Sequence, residues 1–260
     1  MHPGTPARIL TLVLVLLALG TAFLGSGAVI GTPVNEAAGG WLAADSTAIA
    51  PAGGAFRIWS VIYLGLLGYA GWQLFRRSDS DRHLAVRRWV LAGIVLNSVW
   101  LGTVQLGWLA ASVLVIAALL ACLVRVLVML SREAPRDWLE ALLLDGVQGL
   151  YLGWVLVATL ANIAAALAST GWSGAPLGPV SWTILLLVVA AALSVALAVR
   201  LGGRLAPALA TGWGLAWIGV ARSSGVGLQS TAISLTAFVA ALVVLLAAVG
   251  WRWRIGRRRA

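Results

Sequence analysis

Eight long apolar runs, separated by short arginine-containing segments, constrain this chain more than any other feature of its sequence. The runs cover residues 9–30, 56–75, 89–107, 109–131, 139–168, 180–199, 205–221 and 229–251. They are continuous and rich in Leu, Ala and Val, which is typical of helices and not of alternating transmembrane strands. A helix of about 20 apolar residues crosses a bilayer because it satisfies its own backbone polar groups. The sequence therefore predicts an all-α integral membrane protein with about eight transmembrane helices.

The distribution of charge supports this prediction. Only 10% of the residues are charged, whereas soluble domains have roughly 25%. With the N-terminus inside, sixteen of the 18 basic residues, all arginines, fall in inside segments, and only Arg57 and Arg222 fall outside. This asymmetry follows the positive-inside rule and predicts a cytoplasmic-membrane protein with both termini in the cytoplasm. We therefore interpret the net charge of +10 as arginines that set the membrane topology and contact lipid headgroups, and not as a nucleic-acid-binding surface. The exclusive use of Arg, with abundant Ala and Gly, indicates a GC-rich bacterial source.

Three segments of the chain bear on its organisation. Residues 1–30 are either a retained first span or a cleaved signal peptide, and the length of their apolar core favours the span. The Gly/Pro-rich segment 171–179 predicts a loop between a five-helix domain, residues 1–170, and three further helices with a basic tail, residues 180–260. The longest connection, residues 31–55, is interpreted either as a lid or binding element or as a simple connection.

Polar side chains concentrate on one face of the fifth span. At 100° per residue, a wedge of about 120° contains Asp145, Gln148, Tyr151, Thr159 and Asn162. This face is either the wall of a ligand or proton-coupling site or a set of interhelical hydrogen bonds. In the third span, Asn97 is predicted to bond to the backbone of a neighbouring helix. Neither Cys122 nor either histidine has a metal-ligand neighbour, so the sequence predicts no catalytic residue, metal or cofactor.

Three motifs on the second, third and fifth spans carry a family resemblance. The first, PAGGAFRIWSVIY at 51–63, contains Pro51, Trp59 and Tyr63. The second is LNSVW at 96–100, which QLGW follows at 105–108, and the third is YLGWVLVATLAN at 151–162. Together they resemble the tryptophan-rich sensory protein family, also called the TspO/MBR or translocator protein family. The resemblance covers residues 51–165 approximately, and the three C-terminal spans lie outside its pattern.

The resemblance implies a five-helix bundle with a pocket that opens toward the first long loop. It also implies binding of porphyrins or other flat apolar ligands, in a sensing or transport role, by a homodimer. The residues that it places in or beside the pocket are Trp59, Tyr63, Trp100, Trp108, Tyr151, Trp154 and Ala158. Asn97 and Asn162 are interpreted as structural.

Three functions remain open at this point. The first is a membrane receptor or carrier for a flat hydrophobic ligand, the tetrapyrroles being the class that the resemblance implies. The second is a secondary transporter with Asp145 and Gln148 as its coupling site, and the third is a membrane enzyme that degrades a porphyrin. The predicted partners are the hydrophobic ligand and the lipid bilayer.

Overall fold

The computed structural model describes residues 5–24, 33–34, 36–76, 80–224 and 227–259, and over these ranges it contains eight long helices and no strand. The helices are α1 (Thr5–Leu24), α2 (Ile58–Leu74), α3 (Asp81–Gln105), α4 (Leu109–Leu130), α5 (Trp138–Ser169), α6 (Gly178–Arg200), α7 (Leu205–Ser224) and α8 (Thr231–Arg259). They correspond one to one with the eight predicted spans. The end of the first predicted span, residues 25–30, lies outside the described residues.

Five of the helices are long and apolar enough to cross a membrane by length and composition, namely α3, α4, α5, α6 and α8. The apolar part of α1, Pro6–Thr21, is shorter, and α2 has 17 residues. Many large apolar side chains on α6 and α8 are exposed, including Val188, Leu235 and Leu246. Apolar faces of this size are typical of helices that contact lipid.

The start of α3 differs from its prediction. The helix begins at Asp81, eight residues before the predicted span, because the Ser80 hydroxyl accepts a hydrogen bond from the His83 N–H at 3.1 Å and caps it. Arg82, His83 and Arg87 therefore lie within the helix and are buried, and not in a headgroup-facing loop.

The start of α5 is unusual because Ala141–Gly146 form a turn of π-helix. In an α-helix, side chains five residues apart point about 140° away from each other. The wider π turn brings Glu140 and Asp145 to the same face, and both contact the Arg82 guanidinium.

Close packing of α5 on α7 joins the first five helices to the last three. Gly149 and Gly153 lie one helical turn apart on α5 and contact Ala206, Pro207 and Ala210. The backbones approach so closely that a Cβ added at Gly153 would lie 2.1 Å from the Pro207 carbonyl oxygen. This is the small-xxx-small contact that lets membrane helices pack without a hydrophobic driving force. The division into two domains stays a prediction, since the two groups of helices share this interface.

Candidate functional site

The long loop before α2 folds into the bundle, where α7 holds its backbone. The Ala52 N–H donates to the Trp217 carbonyl oxygen at 3.1 Å, and the Trp213 Nε1–H donates to the Ala55 carbonyl oxygen at 2.9 Å. Further along α7, Arg222 Nη2 donates to the Ala44 carbonyl oxygen at 2.5 Å. These bonds to α7 fix the irregular loop against the bundle at Ala44, Ala52 and Ala55.

A cavity lies beneath this loop, against α2, α3 and α5. Its free interior volume is about 40 Å³, enough for water-sized molecules, so the loop and the rings must move apart to admit a larger ligand. The loop supplies an apolar roof of Trp41, Leu42, Ala50 and Pro51. The walls and floor are formed by Phe56, Trp59, Trp100, Trp154, Val157, Ala158, Ala161 and Asn162. We call this cavity the aromatic pocket.

Trp59 is at the centre of an aromatic cluster in the pocket. Its ring stacks on Tyr63, with ring centroids 5.3 Å apart, and on Trp100, at 6.2 Å. It meets Tyr151 and Trp154 edge-on, at 5.8 and 6.2 Å. Offset stacks and edge contacts are the favoured arrangements of aromatic pairs. The cluster therefore presents fixed ring faces and edges to the cavity.

Hydrogen bonds fix several of these rings. The Trp100 Nε1–H donates to Asn162 Oδ1 at 2.8 Å, and Asn162 Nδ2 donates to the Ser112 hydroxyl at 2.9 Å. On the other side of the cluster, Asn97 Nδ2 donates to the Tyr63 hydroxyl at 3.0 Å. Asn97 thus bonds to a side chain of α2 and not, as the sequence predicted, to a helix backbone, while Asn162 bridges α3 and α4 and also lines the pocket.

Two polar atoms of the cluster have no such bond. Among the residues that the structure describes, neither the Trp154 Nε1–H nor the Tyr151 hydroxyl has a hydrogen-bond partner. Both side chains are almost fully buried, with 2% and 1% of their surface exposed. Buried donors without a partner are rare and costly, and they are often explained by a ligand or water that the structure does not contain.

The structure gathers most, but not all, of the predicted pocket residues. Trp59, Trp100, Trp154 and Ala158 line the pocket, while Tyr63 and Tyr151 contact Trp59 from behind. The exception is Trp108, which lies at the turn between α3 and α4, is 60% exposed and does not line the cavity. The sequence analysis did not predict which loop residues form the roof. Trp41, a large aromatic residue in the longest connection, could have indicated one of them.

The remaining predicted residues, Asp145 and Gln148, lie on α5 before the pocket residues. Asp145 accepts hydrogen bonds from Arg82, at 2.5 Å, and from Arg204. Arg82 also donates to Glu140 at 2.8 Å, and Glu140 pairs with Arg76 at 3.4 Å. This ion network ties α2, α3, α5 and α7 together at the opposite end of the bundle from the loop.

Comparison with known proteins places this architecture in a family. The sequence profile of the TSPO-like protein family matches residues 8–250. The match extends through α6 and α7 and into α8, so it includes the three helices that lie outside the five-helix pattern. No curated protein and no solved structure matches the chain. With a profile match over most of its length and several membrane-crossing helices, the chain belongs to the TSPO-like family of multi-pass membrane proteins.

Proposed function

We propose that this protein is a membrane receptor or carrier that binds a flat hydrophobic ligand, of the tetrapyrrole class, in the aromatic pocket. The observation that carries the proposal is the buried Trp154 Nε1–H, which has no partner among the described residues and belongs to a side chain that lines the cavity. Ring faces of Trp59 and Trp100 stack well against a flat π system. A porphyrin offers such a face together with acceptor atoms at its edge.

The residues of the aromatic pocket fit a binding site better than a catalytic site. Its walls are mostly aromatic and aliphatic. Of its polar lining groups, Asn162 is already bonded to Trp100 and Ser112, and the Ser46 hydroxyl is bonded to the carbonyl oxygens of Trp41 and Ala43. A binding site requires an apolar cavity with a few oriented polar groups, whereas hydrolysis or group transfer requires an activated nucleophile or a positioned acid and base. The described pocket residues match the first requirement.

We expect Trp154→Phe to weaken protoporphyrin IX binding about fivefold, the effect of losing about 1 kcal/mol from one hydrogen-bond donor. Tryptophan fluorescence quenching of the detergent-solubilised protein measures the dissociation constant. Phenylalanine retains an aromatic ring for the edge contacts with Phe56 and Trp59, so the fold should survive.

Trp138→Phe is the matched control, because Trp138 is 71% exposed at the start of α5, far along the helix from the pocket. It removes one fluorophore without changing the pocket and should bind as the wild type does. Linear quenching without saturation, equal in all three proteins, would mean that the porphyrin only partitions into detergent, and the proposal would be abandoned.

The proposal includes an orientation. The turns that carry most arginines meet at the end of the bundle that holds the ion network, which we assign to the cytoplasm of a bacterial cell. The loop and the pocket mouth then face the opposite side. Cysteine accessibility at introduced positions in the loop and in the tail tests this orientation. The homodimer that the resemblance implies is tested by light scattering of the solubilised protein.

The geometry gives less support to Asp145 as a transport coupling site. Its carboxylate is held between Arg82 and Arg204, and a cavity of about 570 Å³, open to the surroundings, adjoins it. A transported ion would have to compete with both guanidinium groups for this carboxylate. Flux that is lost in Asp145→Asn, in a variant that retains its fold, would favour the transporter instead.

A further inference from the structure

A second cavity adjoins the aromatic pocket and shares a wall with it. This cavity, which we call the vestibule, has a volume of about 370 Å³, and it lies between the long loop, the end of α5 and the start of α6. Ser46 and Thr47 line both cavities. These two loop residues therefore form the partition between the vestibule and the pocket.

The Ser46–Thr47 partition is bonded only locally among its described hydrogen bonds, whereas the loop on either side of it is bonded to α7. At its flanks, Ala44 and Ala52 are bonded to Arg222 and Trp217 of α7. Between these anchors the described hydrogen bonds are local turns: the Ser46 hydroxyl donates to the carbonyl oxygens of Trp41 and Ala43, and the Ala50 N–H donates to the Thr47 carbonyl oxygen. Ala48 and Ile49, which follow the Ser46–Thr47 turn, are buried in the apolar core. A local turn between two fixed points can rearrange without moving the helices, as hinged loops do.

A continuous face of α5 connects the two cavities. Ala158 and Ala161 line the pocket, and Ala164 and Ala168 line the vestibule. Their spacings of three and four residues place them on one side of the helix, over a length of about 15 Å at 1.5 Å per residue. Because these four side chains are only methyl groups, they obstruct a molecule moving along this face less than larger side chains would.

The far side of the vestibule carries an aromatic pair. The rings of Trp172 and Trp182 meet edge-on with centroids 5.4 Å apart, and both line the vestibule. In the described part of the chain, the buried Trp182 Nε1–H has no hydrogen-bond partner. The vestibule therefore offers an aromatic ring and an indole N–H donor, which are the same two groups that Trp154 offers in the aromatic pocket.

We propose that the vestibule is a second, transient binding site for the same flat aromatic ligand, and that the ligand passes from it to the aromatic pocket when the Ser46–Thr47 turn opens. The proposal rests on the proposed function, because it requires a ligand of the aromatic pocket. The loop forms the roof of the aromatic pocket, and Trp100 and Trp154 in its walls are only 6% and 2% exposed, so entry of a large ligand requires the loop to move.

Ala168→Phe tests the passage because it narrows the vestibule without touching the aromatic pocket. A barrier between the free and pocket-bound states changes both rate constants by one factor and leaves their ratio unchanged. We expect the association and dissociation rate constants for protoporphyrin IX to fall together by about tenfold, with the dissociation constant within about twofold of wild type. Stopped-flow quenching of tryptophan fluorescence measures both rates.

Ala110→Phe, at an exposed position of α4 that lines neither cavity, is the control and should leave both rates unchanged.

Trp172→Ala is a second variant in case the added ring prevents folding. Trp172 is 37% exposed, so its truncation should be tolerated, and loss of the surface platform is expected to lower both rates in the same way. Unchanged rates in a folded Ala168→Phe or Trp172→Ala variant, or a change in the dissociation rate alone, would overturn the passage. Absence of saturable binding by the wild type would instead refute the pocket itself.

Discussion

Replacing Arg82 with alanine is expected to lower the free energy of unfolding by about 3–5 kcal/mol, the usual effect of removing one member of a buried ion pair. The Arg82 guanidinium donates to Glu140 at 2.8 Å, to Asp145 at 2.5 Å and to the carbonyl oxygens of Leu130 and Glu133 at 2.9 and 3.1 Å. Its loss leaves Glu140, which is 0% exposed, and Asp145 with one described guanidinium partner each. Unfolding in mixed micelles, followed by circular dichroism during an SDS titration, measures the change.

Arg88→Ala is the matched control for this variant. Arg88 lies on the same helix, is exposed and contacts only the Trp89 ring among its described interactions, at 5.7 Å. Its replacement should change the unfolding free energy by less than about 1 kcal/mol. Arg82→Lys should lower the free energy of unfolding almost as much as Arg82→Ala. A lysine ammonium group lacks the planar set of donors with which the guanidinium group contacts its four acceptors. Equal stability of the Arg82→Ala and Arg88→Ala proteins would show that the network does not hold the bundle together.

Gly153→Ala is expected to have the second largest effect, a loss of about 3 kcal/mol of stability. The added methyl group would lie 2.1 Å from the Pro207 carbonyl oxygen and 3.0 Å from the Ala210 Cβ. Overpacking of a tight interface commonly costs about 1–3 kcal/mol, and here the obstacle is backbone, which cannot rotate away. The same SDS titration measures the loss. Because α7 also holds the long loop, through Trp213, Trp217 and Arg222, the variant should bind porphyrin more weakly as well.

Gly102→Ala is the control for the glycine variant. Nothing lies within 4 Å of a Cβ added at Gly102, which is also within a helix, so only the higher helix propensity of alanine remains. This variant should be as stable as the wild type or slightly more stable. If Gly153→Ala behaved in the same way, α5 and α7 would not be in backbone contact.

The candidate site was predicted in its walls but not in its roof. Trp59, Trp100 and Trp154 lie on three different helices, and it was the family resemblance of their motifs that assigned them to one pocket. Residues of the roof, such as Leu42 and Ala50, belong to an irregular loop without periodicity. Their positions depend on bonds to α7, which is more than 150 residues away in the chain, and local sequence carries little information about such a contact.

The burial of particular arginines could likewise not be predicted from local sequence. Charge placement predicted that most arginines lie between spans, because a cation cannot stay in lipid without a partner, whereas Arg82, Arg87 and Arg88 lie within α3. Which of them face headgroups and which are buried depends on the carboxylates that packing supplies. Arg82 is buried only because the π turn of α5 brings Glu140 and Asp145 to one face.

The sequence alone determined the class of this protein, the number and approximate bounds of its helices and its family. Hydropathy and charge act locally along the chain, so they can be read without knowing what packs against what. Only the tertiary structure decided that α7 holds the long loop over the pocket, that Gly149 and Gly153 let α5 and α7 approach, and that a vestibule adjoins the aromatic pocket. Each of these features arises from contact between segments distant in sequence, whose energy depends on the shape of both surfaces.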